Sequence, residues 1–371
     1  MKSVPNFFVS EKGSRSLALI WPTFRGRVHN RYTMAVTMKD IARELGVSVV
    51  TVSKVIRNHS DIGEETRQRV LKRIKELNYE PNMAARALVT GRTYSAGLIV
   101  PDLVHPFFAE VAGGLSDVLR RKNYSLLISS SQGDPDLERQ EIKRLLSRRL
   151  DALMIASTQW TVESFRRIEA QKVPYVLIDR GFLGMPANFV GVDDVAVGRL
   201  ATEHLIAAGC RRIAHIRGPA TSTAVGRLEG YTQALAGCDL TQFQDYVVVG
   251  RSPDVDSWIS GNEAMKKLLG LDPCPDGVFC YNDPIAIGVI DAILEAGLRV
   301  PQDIAVIGCG NLHFDKSLRV PLSSVDQQSR AIGERAGKLV LSLIEAKIPP
   351  QPRSIMLQPA VVPRESTRRS V

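Results

Sequence analysis

Several protein classes are excluded by what the 371-residue chain lacks. Its five cysteines, at 210, 238, 274, 280 and 309, form no CxxC pair and are odd in number. That argues against a disulfide framework or a zinc ribbon and fits a reducing, cytoplasmic compartment. No apolar run approaches the ~20 residues that a membrane span needs. The six histidines include no HExxH, and nothing matches GxxxxGK[ST]. A secreted, membrane-spanning or P-loop protein is excluded, and neither a metal nor a cofactor is expected. What remains is ordinary globular composition, 44% hydrophobic and 23% charged, long enough for two or three domains.

The net charge of +9 is confined to one end. Residues 1–33 carry six Lys/Arg against one Glu, residues 34–92 eleven against seven acids, and residues 93–371 are balanced at 31 of each sign. A basic front on a neutral body points to an anionic polymer as partner of the front and something else as partner of the body. Residues 1–35 show no clear period, and LALIW at 17–21 is too short for a signal-peptide core. They read as a disordered extension, or as a stretch upstream of a true start at Met34.

From Thr37 the pattern sharpens. Thr37 caps a helix with apolar Ile41, Ala42 and Leu45, closed by Gly46. Ser48 caps a second with Val52, Val55 and Ile56 on one face. A third begins near Gly63, with Glu64 and Glu65 in its first turn, an inner face of Val70, Ile74 and Leu77, and Pro81 as its stop. Three short helices with a Gly-Val-Ser corner make a helix-turn-helix unit over residues 36–80. NMAARALVTGR (82–92) reads as a short helix within a linker, 81–93, too short to be stable unaided.

Beyond residue 94, Val/Ile/Leu-rich strands alternate with amphipathic helices up to residue 365, before a tail at 366–371. Such alternation predicts parallel sheets covered on both faces, and eight or more strands suit two doubly wound lobes better than one sheet or a TIM barrel. The segments 189–193 and 323–327 look like strands without the regular following unit and read as crossovers between lobes.

These residues carry a resemblance. DIARELGVSVVTVSKVI (40–56) and ELNYEPNMAARAL (76–88) resemble the headpiece and hinge of the lactose-repressor (LacI/GalR) family. HPFF (105–108), DR (179–180), VGVDD (191–194), HLIAAGCRRIAHIRGP (204–219), RLEGYTQAL (227–235), NDPIAIG (282–288) and GLRVPQDIAVIG (297–308) extend it through the body. The resemblance implies an all-α helix-turn-helix headpiece and a two-lobed body like the periplasmic sugar-binding proteins. It implies a homodimer that regulates transcription, probing a near-palindromic duplex under the control of a carbohydrate-related effector.

In such a headpiece the second helix enters the major groove. The resemblance places Val49, Val50 and Lys54 at base edges, with Thr51, Ser53 and Tyr79 at phosphates. Valines touch thymine methyls but form no hydrogen bonds, so direct readout rests on Lys54 with guanine. Packing of Val49 or Val50 in the core is the alternative. Ala85 and Leu88 match the hinge, where a leucine wedges into the minor groove of a bent duplex.

For the effector the resemblance singles out Phe107 and Phe108 for stacking, with Asp179, Arg227, Asn282 and Gln327 as polar partners. Asp283 reads as a helix cap, and His105 and His215 as structural. One departure concerns the acid that usually follows the VIG strand and grips ligand hydroxyls: here Cys309-Gly310-Asn311 stands instead. Losing that acid while keeping Arg227 shifts the expected cleft toward positive charge and toward a sugar acid or sugar phosphate. GCGN after a strand lacks the third glycine of a dinucleotide fingerprint. The competing classes are a solute-binding protein, which would need an export signal and no headpiece, and an α/β enzyme, for which no nucleophile-base spacing is present.

Overall fold

A computed structural model describes residues 36–80, 87, 91–159, 161–182, 186–219, 221–250 and 256–369. The chain divides at Asn82 into two compact units, each described by itself.

Among the described residues, the first unit is three helices, α1 (Met38–Leu45), α2 (Val49–Ile56) and α3 (Glu64–Glu76). Thr37 and Asp40 form a reciprocal capping box on α1, and Gly46 closes it in the left-handed conformation at φ 66°. Ser48 accepts from Thr51 N at 3.0 Å and so starts α2 only two residues later. Ile41, Ala42, Val52, Val55, Val70 and Tyr79 are buried against one another. The third helix ends at Glu76, before the expected stop at Pro81, because Asn78 turns the backbone left-handed at φ 44°.

The second unit holds two sheets. The first has strands β1 (Ser95–Val100), β2 (Ser125–Ser130), β3 (Ala152–Ile155), β4 (Tyr175–Ile178), β5 (Phe189–Val192) and β11 (Ser354–Leu357) in the order β11-β5-β4-β3-β1-β2. The second has β6 (Ile213–Arg217), β7 (Val247–Val249), β8 (Gly277–Cys280), β9 (Ala305–Cys309), β10 (Ser323–Asp326) and β12 (Ala360–Val362) in the order β12-β10-β9-β8-β6-β7. All pairings are parallel except β10 with β12. The first five strands of each lobe follow one doubly wound order, and ligands bind such sheets beyond the carboxyl ends of the strands where the order reverses.

The helices of the first lobe are α4 (Pro106–Arg120), α5 (Pro135–Ser147), α6 (Glu163–Ala170) and α11 (Ser329–Glu345). The second lobe has α7 (Asp194–Ala207), α8 (Ser222–Ala236), α9 (Ser257–Leu269) and α10 (Asp283–Glu295). Segments 189–193 and 323–327 are more than crossovers. Each supplies a strand, β5 or β10, hydrogen-bonded within its lobe's sheet, and only then leaves for the other lobe. A third crossing joins β11 in the first sheet to β12 in the second. The expected tail also differs: Ser366 and Thr367 are buried, and Ser366 Oγ donates to Val306 O at 2.6 Å, so the body continues past residue 365.

One helix pair, α7 with α8, shows why certain positions are glycine. A Cβ on Gly198 of α7 would stand 2.0 Å from Arg227 O, and one on Gly230 of α8 would stand 2.0 Å from Val195 O. The two backbones touch directly, which fixes where α8 carries Arg227.

Candidate nucleic-acid interface and effector cleft

On the headpiece, α2 buries Val52 and Val55 and turns Val49 and Val50 outward, 37% and 61% exposed. The core already holds the inner face, so the two valines are exposed rather than packed in it. Thr51 Oγ1 lies 2.9 Å from Ser48 Oγ, and Thr51 and Ser53 are partly exposed. Lys54 is not idle: its ammonium pairs with the Asp61 carboxylate, which holds that acid below its usual range. Tyr79 differs most from expectation, because it packs in the headpiece core and burial raises its phenol pKa. Ala85 and Leu88 lie outside the described residues.

In the body, the six expected cleft residues Phe107, Phe108, Asp179, Arg227, Asn282 and Gln327 line one cavity, together with His105, Arg180 and Tyr281. The elements explain the convergence. Phe107 and Phe108 open α4 beyond β1, Asp179 follows β4, Asn282 caps α10 beyond β8, and Gln327 follows β10. Phe107 and Phe108 meet edge to face at 5.1 Å and also belong to the first lobe's core. The space enclosed is about 20 Å³. That is room for about one water molecule and not for a sugar at this point of the cleft.

Arg227 gathers three partners on the second lobe's side of the cleft. Its Nε donates to Asp194 Oδ1 at 2.9 Å, Nη1 to Tyr281 O at 2.6 Å and Nη2 to Gln327 Oε1 at 2.8 Å. The guanidinium also lies 4.5 Å over the Tyr281 ring. Only 2% exposed, it is no surface ion pair. Asp194 begins α7 just after one crossover and Gln327 sits on another, so one side chain grips both. Burial pushes the Asp194 carboxyl up to about 7, with Arg227 opposing the rise. Across the cleft, Asn282 Nδ2 approaches His105 Nε2 at 3.1 Å. His105 therefore lines the cleft, whereas His215 is buried, stacked on Phe279 at 4.4 Å and kept neutral, its pKa held down to about 3 by burial.

Beside this cavity the cleft widens to about 460 Å³, lined among others by Ser157, Gln159, Arg180, Phe182, Thr221 and Ser222. Its polar wall is rigid. Glu138, fully buried, accepts from Ser157 Oγ at 2.7 Å, Thr158 N at 2.6 Å and Gln159 Nε2 at 2.7 Å. Sequence reasoning passed over this wall because its residues are common loop types with no spacing of their own.

Two expectations about charge change. Gly310 does not line the cavity. Its φ is +144°, and a Cβ there would stand 2.6 Å from Asp283 Oδ2. Asp283 is no cap, since Asn282 accepts from Ile285 N at 2.9 Å in that role. Instead the Asp283 carboxylate is buried, accepting from Ser324 Oγ at 2.6 Å and Leu312 N at 3.2 Å. Nor does losing an acid at 310 leave the cleft positive: Asp194 faces Arg227, and Asp179 lies 3.5 Å from Arg180 Nε.

This construction matches known proteins. Residues 37–82 match the model of bacterial regulatory proteins of the lacI family, and residues 202–367 that of the periplasmic binding protein-like domain. An HTH-type transcriptional repressor PurR of Histophilus somni (strain 129Pt) is 34% identical over 334 residues, covering 90% of this chain and 99% of that protein. The chain belongs to the lacI family. The PurR repressor of Pasteurella multocida (strain Pm70) is also 34% identical, over 90% of this chain and 98% of that one. Among solved structures, a lac repressor dimer bound to operator and the anti-inducer ONPF superposes with a TM-score of 0.79 at 25% identity, covering 90% of this chain and 99% of that one. The regulator CelR in complex with cellobiose gives 0.68 at 28% identity, over 89% of this chain and 99% of that one. This lacI-family member is thus a DNA-binding transcriptional regulator with an effector-binding body. Among the described residues, no helix is long and apolar enough to cross a membrane.

Proposed function

We propose that this lacI-family protein is a cytoplasmic, homodimeric repressor of near-palindromic operators, released or recruited by a carbohydrate-related effector, and that it catalyses no reaction. Its parts would be an extension at 1–35, a headpiece at 36–80, a hinge at 81–93 and an effector-binding body beyond. Val49, Val50 and Lys54 read base edges, Thr51 and Ser53 hold phosphates, and Tyr79 contributes only through what its core position leaves accessible. Ala85 and Leu88 enter the minor groove between paired hinges. Phe107, Phe108, Asp179, Arg227, Asn282 and Gln327 hold the effector, with Arg180 and the Ser157–Gln159 wall beside them.

The observation that carries this reading is the Arg227 network. Its partners Asp194 and Gln327 stand at two of the three crossings between the lobes, so a ligand that displaces either partner would act on a connection between them. A changed lobe angle alters the separation of the two hinges, and DNA affinity follows, with coupling of typically ~1–3 kcal/mol. Because Arg227 and Arg180 each face an acid, neutral sugars and sugar acids are both admissible.

Two measurements test the proposal. Selection of sites from random duplex by the full chain should return a palindrome whose binding is lost in Leu88→Ala. Calorimetric titration of neutral sugars beside uronic acids should find a ligand that changes affinity for that palindrome. A panel of polyols, sugars and sugar acids that leaves operator affinity unmoved would refute the carbohydrate assignment.

A further inference from the structure

We infer that Asp61 is a specificity-determining residue of the headpiece: it is the built-in counterion of Lys54 and withdraws that lysine from sequence-independent attraction to DNA phosphates. The inference rests on the DNA-facing role proposed for α2.

The Lys54 ammonium pairs with the Asp61 carboxylate across the turn between α2 and α3. That turn is fixed. Asn58 reverses the backbone at φ 55°, and Arg67 of α3, its side chain only 14% exposed, donates to Asn58 Oδ1 and His59 O. Asp61 is therefore held opposite the lysine by an anchored loop. Both side chains remain open to solvent, 35% for Lys54 and 53% for Asp61, on the same helix-turn surface as the exposed valines.

Among the three base-facing residues only Lys54 has a hydrogen-bonding group, so how it is spent decides what the headpiece reads. Non-specific binding to duplex DNA is driven by unpaired cations that displace condensed counterions. A Lys54–Asp61 pair has no net charge. If the lysine swings to a phosphate, the carboxylate left behind faces the same phosphates, and the gain is cancelled. Guanine is different. An ammonium has three donors, so Lys54 can give one to O6 or N7 while another stays with Asp61. The pair thus admits a G·C step without a cost and gains nothing from phosphate alone.

The test uses the full chain and a random-sequence duplex, with affinity measured by fluorescence anisotropy over a range of salt. For Asp61→Asn, log K against log salt should steepen by about 0.9 per headpiece, the release expected for one added phosphate contact. The double variant Asp61→Asn/Lys54→Ala should return to the wild-type slope. An Asp61→Asn slope equal to wild type would overturn the inference while leaving the regulatory reading intact. Failure of the wild-type chain to bind any duplex at low salt would sink the DNA-facing role of α2, and this inference with it.

Discussion

Asn282 Nδ2 and His105 Nε2 stand 3.1 Å apart, each at the head of a helix in a different lobe. The contact latches the lobes shut across the cleft, just where an effector would have to enter. A ligand seated between these two helix heads would have to break that contact.

His105→Ala should shift the ligand-free protein toward open lobes. Small-angle scattering of the variant should give a larger radius of gyration than wild type, with unchanged secondary structure by circular dichroism. Identical scattering curves would show that the latch contributes nothing to closure.

Arg227→Lys keeps the charge but cannot supply the three directed donors that reach Asp194, Tyr281 and Gln327. Breaking one side of a buried pair costs ~3–5 kcal/mol when a charge is stranded, and a lysine leaves part of the network unmet. The variant should fold with reduced stability and lose effector control of operator binding while keeping basal DNA affinity. Retained effector response would remove Arg227 from the coupling.

Gly198→Ala inserts a methyl against the carbonyl of Arg227 itself. Backbone cannot swing aside as a side chain can, so overpacking of ~1–3 kcal/mol is expected. Chemical denaturation should show that loss, and effector affinity should fall with it because α8 is pushed off position. An alanine that is neutral in both would mean the helices can separate freely.

The pH dependence of stability follows from Asp315. It is fully buried, and burial first, then the neighbouring Asp283 carboxylate, raises its pKa to about 9. In the unfolded chain it titrates near ~3.9, so between these values the folded protein holds the extra proton. Stability from this group is complete below the lower value and declines as pH rises toward about 9. Asp315→Asn keeps the shape without the charge. Melting curves from about pH 6 to about 9 should show a flatter decline in the variant, with Tm at about pH 8 raised by at least ~2 °C. Parallel declines would place the alkaline sensitivity elsewhere. On the acid side His215 acts oppositely, since a ring held neutral down to about 3 loses its contribution as pH falls below its ordinary value.

Most of the headpiece was legible because its signals are local, the buried Tyr79 and the early end of α3 excepted. Thr37, Gly46 and Ser48 sit at the ends they mark, and the inner faces of α1 and α2 follow helical spacing. The main strands were legible too, being continuous apolar runs. What escaped was set by distant partners. Strand β11 is half exposed and lies between prolines, and it is a strand only because β5 offers its edge. The short helix α6 went unmarked, as did the reason for Gly310, which depends on Asp283 lying against it. In the cleft, the six residues came from resemblance, while Arg180, Tyr281 and Asp194 became visible only once both lobes were in place.

The strands β11 and β12 and the helix α11 also set an order of assembly. Ile332, Ala336, Leu339 and Val340 of α11 complete the first lobe's core, although most of that lobe precedes residue 193 in the chain. As the polypeptide leaves the ribosome, the first lobe must wait with an open apolar face while the whole second lobe is made. Neither half can finish before the other. A prematurely terminated product would leave that apolar face of the first lobe uncovered.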